Sequence, residues 1–253
     1  LGAKAKVVCL QEVDLHEHST VDLKAQAAAA GYQLIYGEPC PLGRDVSKGK
    51  GRRVALLVKD DTPVEDATKL GDKHTDYLKS TGRWVERLIP LADGNQMYVA
   101  SLYGYSGASA NAADYICNEK LLAAALVRMK SMGDIPYYLA GDLNVDPGCS
   151  KIVQAALNAE IAHDLVDDAF GGQPAPTYSR GGITREMHGP GTTRIDTILT
   201  NPVATHACTN VEYLHQDNAF FDHVPIKIQL MYERFDDTIS TAQQPAPLNV
   251  RSL

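Results

Sequence analysis

The stretch Ile135–Asn144, which reads IPYYLAGDLN, is an apolar run that ends in a carboxylate and an amide, at Asp142 and Asn144. This pattern predicts a buried β-strand that is followed at once by polar side chains. Burial destabilises a carboxylate unless the charge is paired or binds a cation. The end of this strand is therefore a candidate functional position, although a single Asp in such a place is more often a turn or helix-cap residue.

Three further apolar β-type runs end in polar residues of the same kind. They read CLQEV, RIDTIL and FDHVPI, and they contain Glu12, Asp196, and the pair Asp222 and His223. Recurrence at four separate strand ends is much less expected by chance than any one of them. If the ends converge, their carboxylate oxygens suit magnesium or manganese better than zinc. The sequence thus predicts a site for a hard divalent cation.

The remaining pattern predicts many short strands with a few helices between them. A strand over AKVVCLQEV precedes a helix that starts near Val21, with Ser19 and Thr20 as its caps and Gly31 as its end. Further predicted elements are strands in YQLIYG, RRVALLVK, RWVERLIPLA, NQMYVASLYG and DHVPIKIQLMY, helices over 111–132 and 150–159, and a polar connection over 171–193. Such an order indicates an α+β fold in which sheets pack on one another between helices.

Length and composition are typical of one large globular domain. The chain has 253 residues, of which 44% are hydrophobic and 22% are charged, and no run reaches the roughly 20 apolar residues of a membrane span. We expect one domain over residues 1–232, followed by a tail or linker over 233–253 that leads to additional domains. The start of the chain lacks a secretory signal pattern, which favours an intracellular location in nucleus or cytoplasm. Five scattered cysteines without C-x-x-C spacing are expected to be reduced and structural.

The net charge argues against strong nonspecific attraction to a polyanion over the whole surface. There are 24 basic and 31 acidic residues, which gives a formal charge of −7. A local basic patch remains compatible with that balance, and the segment Arg44–Arg53, RDVSKGKGRR, is the candidate. The alternative interpretation of this segment is a solvated, glycine-rich hairpin connection.

The polar strand ends form an ordered series that resembles the endonuclease/exonuclease/phosphatase superfamily, which includes deoxyribonuclease I. The series consists of LQE at 10–12, SLYG at 101–104, GDLN at 141–144, RID at 194–196 and DHVPI at 222–226. The sequence looks most like the apurinic-type endonuclease domain of non-LTR retrotransposons. Spanning Val7–Leu230, the resemblance implies a four-layer α/β sandwich of two packed, mostly antiparallel sheets flanked by helices. It also implies magnesium-dependent phosphodiester hydrolysis at one rim of the sheets.

The resemblance implies a role for each polar strand end. Glu12 would be the main metal ligand, with Asp222 near the metal or on the leaving-group side. Asp142 would activate or orient the attacking water, and Asn144 would position that water and bind substrate. These roles suit the groups, because a carboxylate beside a cation-bound water can accept its proton.

The same resemblance assigns an imidazole and a phenol to the phosphate, and an arginine beside the glycine-rich connection is a further candidate. Asp196 would hold His223 by a hydrogen bond, which leaves the imidazole to stabilise the transition state. Tyr103 would donate its hydroxyl to the phosphate, with a half-buried sheet tyrosine as the alternative interpretation. Arg194 would bind the substrate phosphate, or else be a solvated loop arginine.

One departure from the family is visible, since relatives carry a strand before LQE that ends in an asparagine. Only about six residues precede Val7, so the predicted sandwich lacks this first strand and is left with an open edge.

From the resemblance we expect a magnesium-dependent, or manganese-dependent, DNA endonuclease of the retroelement type. The alternatives are a phosphatase or phospholipase acting on inositol phosphates or sphingolipids, and a binding or structural module that has lost turnover.

Overall fold

The computed structural model describes residues 5–15, 17–41, 50–67, 72–91, 94–179, 192–214 and 222–231. Within them the chain forms two compact units. The first is assembled from the chain up to Tyr103 together with Leu139–Gly141, and the second from Gly104–Tyr138 and the chain from Asp142 onward. Residues 44–49 of the predicted basic segment and the whole predicted tail over 233–253 lie outside the described residues. The domain bounds given above stay a prediction.

The first unit contains a sheet with one central strand. Its strands are β1 (Val7–Leu15), β2 (Tyr32–Tyr36), β3 (Cys40–Pro41) and β4 (Lys50–Lys59). Strand β4 pairs antiparallel with the other three, and its Ala55 and Leu56 are fully buried. Helix α1 (Glu17–Ala29) packs on this sheet through Ala27, which lies in a core cluster with Leu34 and Ala55. The predicted strand, helix and two following strands are therefore confirmed.

A second group of strands packs against this sheet within the same unit. It comprises β5 (Glu65–Asp66), β6 (Trp84–Pro90) and β7 (Gln96–Tyr103), with helix α2 (Lys73–Ser80) between β5 and β6. Strands β6 and β7 pair antiparallel, and Gly94, which lies between them in the chain, adopts φ +81°. Across the two sheets, the buried Ser101 hydroxyl donates to Leu10 O at 3.1 Å and accepts from Gln11 Nε2 at 2.9 Å. This contact ties β7 to the part of β1 that precedes Glu12.

The second unit alternates helices with short strands. Its helices are α3 (Ala112–Ser131), α4 (Lys151–Asn158), α5 (Leu165–Ala169) and α6 (Pro202–Ala207). Strand β8 (Tyr137–Asp142) contributes its two ends to this unit, while its middle residues, Leu139–Gly141, belong to the first unit. The other strands are β9 (His163–Asp164), β10 (Tyr178–Ser179), β11 (Thr192–Thr193), β12 (Asp196–Thr200), β13 (Cys208–Tyr213) and β14 (Ile226–Leu230). Antiparallel pairs join β9 to β12, β10 to β11, and β13 to β14. The α+β class is therefore confirmed.

Helix α3 illustrates how local sequence sets its own bounds. The Asn111 side chain accepts hydrogen bonds from the N–H groups of Ala113 and Asp114, which satisfies two of the unpaired donors at the helix start. Gly133 follows the helix with φ +58°, a conformation that glycine adopts without strain. The helix buries Leu121, Leu122, Leu126 and Met129, whereas Ile116, which lies closer to its start, is 54% exposed.

The structure corrects one helix start and adds elements that the sequence did not predict. Helix α1 begins at Glu17, so Ser19 and Thr20 lie inside it and do not precede it. Helices α2, α5 and α6 and strand β13 were not expected, because each contains too few apolar residues for a helix or strand period to stand out. Among the described residues, the cysteines at 9, 117, 149 and 208 are free thiols, as predicted. None of the described helices has the length and apolar character required to cross a membrane.

Asp164 is the centre of a buried polar cluster in the second unit. Its carboxylate accepts hydrogen bonds from the N–H groups that begin α5, at Val166 and Asp167, and from the Thr197 hydroxyl at 2.6 Å. Arg194 completes the cluster through an ion pair of 2.7 Å, Nη1 to Oδ2. The two side chains are 2% and 10% exposed, respectively, so the pair is shielded from water. Arg194 thus has a structural partner that the sequence did not predict.

We predict that Arg194→Ala destabilises the protein by about 3 to 5 kcal/mol, because it leaves the Asp164 carboxylate buried and unpaired. Arg87→Ala is the matched control, since Arg87 pairs with the exposed Asp66 at 3.5 Å and should contribute no more than about 1 kcal/mol. Urea unfolding followed by circular dichroism measures both. If the Arg194→Ala protein has wild-type stability, the structural role is contradicted, and the predicted contact of Arg194 with substrate becomes the favoured role.

Candidate active site

Glu12 lies in the first unit, at an irregularity of strand β1. The register of β1 against β4 shifts between Gln11 and Leu15, and Glu12 adopts φ +56° within this interval. Bulges of this kind redirect a side chain out of the regular alternation of a strand, and they are common beside active sites. The Glu12 side chain is exposed, while Tyr103 donates its hydroxyl to Glu12 Oε1 at 2.6 Å. The bulge therefore presents a carboxylate whose orientation is fixed by a tyrosine.

Tyr103 is held firmly at the end of β7. Its ring is 1% exposed, and the guanidinium of Arg83 lies 5.0 Å from the ring centroid, close enough for a cation–π contact. Arg83 also donates from Nη1 to the Tyr103 carbonyl at 3.2 Å. The predicted hydroxyl contact of Tyr103 with a phosphate stays a prediction, because in the structure that hydroxyl serves Glu12. Arg83 is an additional residue that the sequence gave no reason to single out.

Asp142 and Asn144 form a compact group at the end of β8 in the second unit. Asp142 is 4% exposed, and its carboxylate accepts from the Asn144 backbone N–H at 2.8 Å and from Asn144 Nδ2 at 3.2 Å. Asn144 Nδ2 also donates to the Gly104 carbonyl at 3.2 Å. Asn144 adopts φ +53°, a left-handed conformation that Asn tolerates better than most residues. The turn thus orients both polar side chains that the motif predicts.

Two residues outside the predicted set support this turn. A side chain at Gly104 would place its Cβ only 2.2 Å from the Leu143 carbonyl oxygen, so only glycine allows this close approach. Asn118, fully buried on α3, accepts from the Tyr105 N–H at 2.9 Å and donates to the Leu143 carbonyl at 2.8 Å. A polar residue on the apolar face of a predicted helix was the signal that could have identified Asn118.

Asp196 and His223 form a hydrogen-bonded pair, with 2.9 Å between Asp196 Oδ2 and His223 Nδ1. Asp142 lies beside the pair, because ligand atoms of Asp142, Asp196 and His223 all fall within 4.8 Å of one another. Asp222 precedes His223 and is exposed. Three of the four polar strand ends recognised in the sequence therefore come together in the second unit.

The charges around His223 favour its protonated form. Burial acts to lower the pKa of His223, but the hydrogen bond to Asp196 and the negative charges of Asp196, Asp142 and Asp222 act in the opposite direction. Together they raise the pKa from its ordinary value of 6.5 to about 9. At neutral pH and without a bound metal, His223 is therefore an imidazolium that donates to Asp196. Its Nε2 proton remains to meet an anionic ligand.

The site residues predicted from sequence thus fall into separate groups. Glu12 and Tyr103 are hydrogen-bonded to each other in the first unit. Asp142, Asn144, Asp196 and His223 are grouped in the second. Arg194 is paired with Asp164, so its predicted contact with substrate stays a prediction. The metal-ligand roles of Glu12 and Asp222 stay predictions as well.

Comparison with known proteins identifies the fold. A model of the endonuclease/exonuclease/phosphatase family matches residues 3–219, most of the chain. Comparison with curated protein sequences gives no match. Members of the matched family are metal-dependent hydrolases that act on phosphodiester bonds.

Similar solved structures include an AP endonuclease from Archaeoglobus fulgidus, with a TM-score of 0.63 and 16% identity over 90% of this chain and 89% of that one. The APE2 catalytic domain from Xenopus laevis gives 0.62 and 16% identity, with 90% and 83% covered. A 3'-5' exonuclease (NExo) from Neisseria meningitidis gives 0.58 and 16% identity, with 89% of each chain covered. At this identity the likeness establishes the fold, and the predicted superfamily and its sandwich architecture are confirmed.

The donor groups fit the divalent cation that the family uses. Two carboxylates and an imidazole within 4.8 Å, from Asp142, Asp196 and His223, can supply one ligand atom each. Oxygen-rich donor sets of this kind suit hard cations such as magnesium and manganese.

We predict that, at positions 12 and 144, the glycine variant of the protein has a free energy of unfolding about 1 kcal/mol higher than the alanine variant. Glu12→Gly and Glu12→Ala lose the same carboxylate, but only alanine retains the strain of the left-handed backbone. The same holds for Asn144→Gly and Asn144→Ala. Thermal unfolding of each pair measures the difference. Glu65, exposed in strand β5, is the matched control, where glycine should be the less stable of the two.

We predict that His223 titrates with a pKa of about 9 in the metal-free protein, observed by NMR of the imidazole. Asp196→Asn should lower this pKa more than Asp222→Asn, because it removes both a hydrogen bond and a charge. The folded-state pKa lies above the ordinary 6.5. The pair therefore adds stability that is fully present below pH 6.5 and is lost as the pH rises through about 9. Equal effects of the two variants would contradict this assignment.

Proposed function

Because the chain belongs to the endonuclease/exonuclease/phosphatase family, we propose that it is a magnesium-dependent DNA endonuclease of the retroelement type. The observation that carries the proposal is the Asp196–His223 hydrogen bond beside the buried carboxylate of Asp142. An imidazolium oriented by one carboxylate and adjacent to a second is suited to bind a phosphodiester and to assist attack on it. The ordered strand-end motifs and the tyrosine strand support the retroelement type.

His223 would bind and stabilise the phosphoryl group. Its Nδ1 proton is directed to Asp196 at 2.9 Å, which fixes the ring and leaves Nε2 for a phosphate oxygen. With its pKa raised to about 9, the imidazolium keeps its charge at neutral pH. A preorganised positive donor of this kind stabilises the negative charge that develops on the phosphoryl oxygens in the transition state.

Asp142 would accept the proton of the attacking water, and Asn144 would help to orient that water. Both roles are supported by the turn, in which two hydrogen bonds from Asn144 fix the direction of the Asp142 carboxylate. A carboxylate that is 4% exposed has few competing water contacts, so a water bound beside it is well oriented.

Glu12 would hold the divalent cation, with Tyr103 fixing the orientation of the carboxylate through its hydroxyl at 2.6 Å. When bound, the cation would neutralise charge on the phosphoryl oxygens. Magnesium is the proposed ion, and manganese is the alternative that the same oxygen donors accept.

DNA is the proposed substrate. Similar structures include an AP endonuclease from Archaeoglobus fulgidus and, from Neisseria, a 3'-5' exonuclease (NExo) and a 3' phosphatase (NExo) bound to a product DNA hairpin. The formal charge of −7 indicates that any attraction to the phosphate backbone is local. The alternatives remain a phosphatase or phospholipase, and a module without turnover.

We predict that the purified protein nicks supercoiled plasmid DNA with magnesium, and that Glu12→Gln, Asp142→Asn and His223→Ala each lower the rate by about 100-fold or more. Each variant has a matched control at an exposed position of the same residue type: Glu38→Gln, Asp134→Asn and His206→Ala. The controls should nick at the wild-type rate. Conversion of supercoiled to open-circular plasmid on agarose gels measures the rate.

The same preparations, with folding checked by circular dichroism, distinguish the alternatives. Release of inorganic phosphate from phosphoinositides, or of phosphocholine from sphingomyelin, without DNA nicking would favour the phosphatase or phospholipase. Wild-type protein that hydrolyses none of these substrates above its Glu12→Gln and His223→Ala variants would overturn the enzyme proposal and favour the non-catalytic module.

A further inference from the structure

Thr177 connects the two segments that carry the Asp196–His223 pair. Its side chain is fully buried, and its Oγ1 accepts the N–H groups of both Ile195 and Asp196, at 3.1 and 3.0 Å. Its backbone carbonyl accepts the Val224 N–H at 2.7 Å, and its own N–H donates to the Thr193 carbonyl at 3.0 Å. One residue therefore binds the backbone of Asp196 and the backbone next to His223.

Tyr178 contacts His223 directly. The two residues form an isolated antiparallel bridge, and their ring centroids lie 4.9 Å apart with the planes tilted by 52°. The next residue strengthens the bridge, because the Ser179 N–H donates to the Asp222 carbonyl at 3.0 Å. The imidazole is thus held by Asp196 at Nδ1 and covered by the Tyr178 ring on one side.

This arrangement constrains the geometry of the pair. Two consecutive N–H groups that share one acceptor fix the peptide between Ile195 and Asp196, and with it the direction in which the Asp196 side chain leaves the backbone. The aromatic contact limits rotation of the His223 ring about its side-chain bonds. Because Asp196 and His223 are 27 residues apart, their 2.9 Å contact depends on supports of this kind.

We propose that Thr177 and Tyr178 are positioning residues that hold the Asp196–His223 pair in its reactive geometry. The inference rests on the proposed function, and it names residues that neither the sequence motifs nor the charged cluster include. Thr177 acts through the backbone of Asp196, and Tyr178 acts through the face of the imidazole. A displacement of about 1 Å in such a group can lower a rate by about 100-fold.

The first test measures kcat and KM for DNA in Thr177 and Tyr178 variants. Thr177→Val keeps the shape but removes the acceptor, whereas Thr177→Ser restores it; Tyr178→Leu removes the ring, whereas Tyr178→Phe keeps it. We expect kcat to fall about 10- to 100-fold in the Val and Leu variants, with KM changed by less than about two-fold. The Ser and Phe variants should remain near wild type.

Rates are expressed per folded molecule, with the folded fraction taken from circular dichroism. A purely structural role would lower the folded fraction and leave kcat per folded molecule unchanged, and that result would overturn the proposal. Tyr178 is only partly buried, so Tyr178→Leu tests the proposal even if Thr177→Val does not fold.

A second measurement does not depend on turnover. The Nδ1 proton of His223, hydrogen-bonded to Asp196, should give a downfield proton NMR signal that is absent from His223→Ala. We expect Thr177→Ser and Tyr178→Phe to keep this signal, and Thr177→Val and Tyr178→Leu to shift or lose it. An unchanged signal in the Val and Leu variants would overturn the positioning role. If the signal responds as expected while wild type hydrolyses nothing, the positioning role is supported and the proposed function fails.

Discussion

The hydrogen bond between Asp196 and His223 is the interaction on which the polar part of the second unit depends. Asp142 and Asp196 bring two carboxylates within 4.8 Å of the same imidazole, an arrangement in which like charges would repel. A protonated His223 compensates for part of that charge, which is why its pKa is raised to about 9 despite burial. The cluster therefore presents a cationic donor beside an acceptor carboxylate.

Backbone strain has a specific distribution in the chain. Among the described residues, only Glu12, Asn144 and Glu160 adopt positive φ without being glycine. Glu160 follows helix α4, and a left-handed residue commonly ends a helix, so its conformation has an ordinary explanation. Glu12 and Asn144 have no such explanation, because each follows or interrupts a strand. Strain that local structure does not require is typical of functional positions, which supports both assignments independently of any motif.

Much of the fold and part of the site could be predicted from sequence. A polar residue at the end of an apolar run is a local signal, and it identified Glu12, Asp142, Asp196 and His223. The start of α1 was predicted wrongly, because a Ser or Thr near an apolar period does not by itself decide where the first helical turn forms. Thr177 had no signal at all. It lies in a polar stretch, and the role proposed for it depends on hydrogen bonds with residues 16 to 47 positions away, at Thr193, Asp196 and Val224.

Thr177 also shows that, in this fold, the residues that align the proposed reactive groups lie outside the strand ends that carry those groups. The groups that would bind and activate the phosphodiester lie at strand ends, where the backbone is fixed by sheet and turn hydrogen bonds. The groups that align them come from a helix face at Asn118, from Thr177, and from Tyr178 at the start of the short strand β10. Thr177 and Tyr178 contact Asp196 and His223 directly, so a change in this segment would alter the geometry of that pair as well.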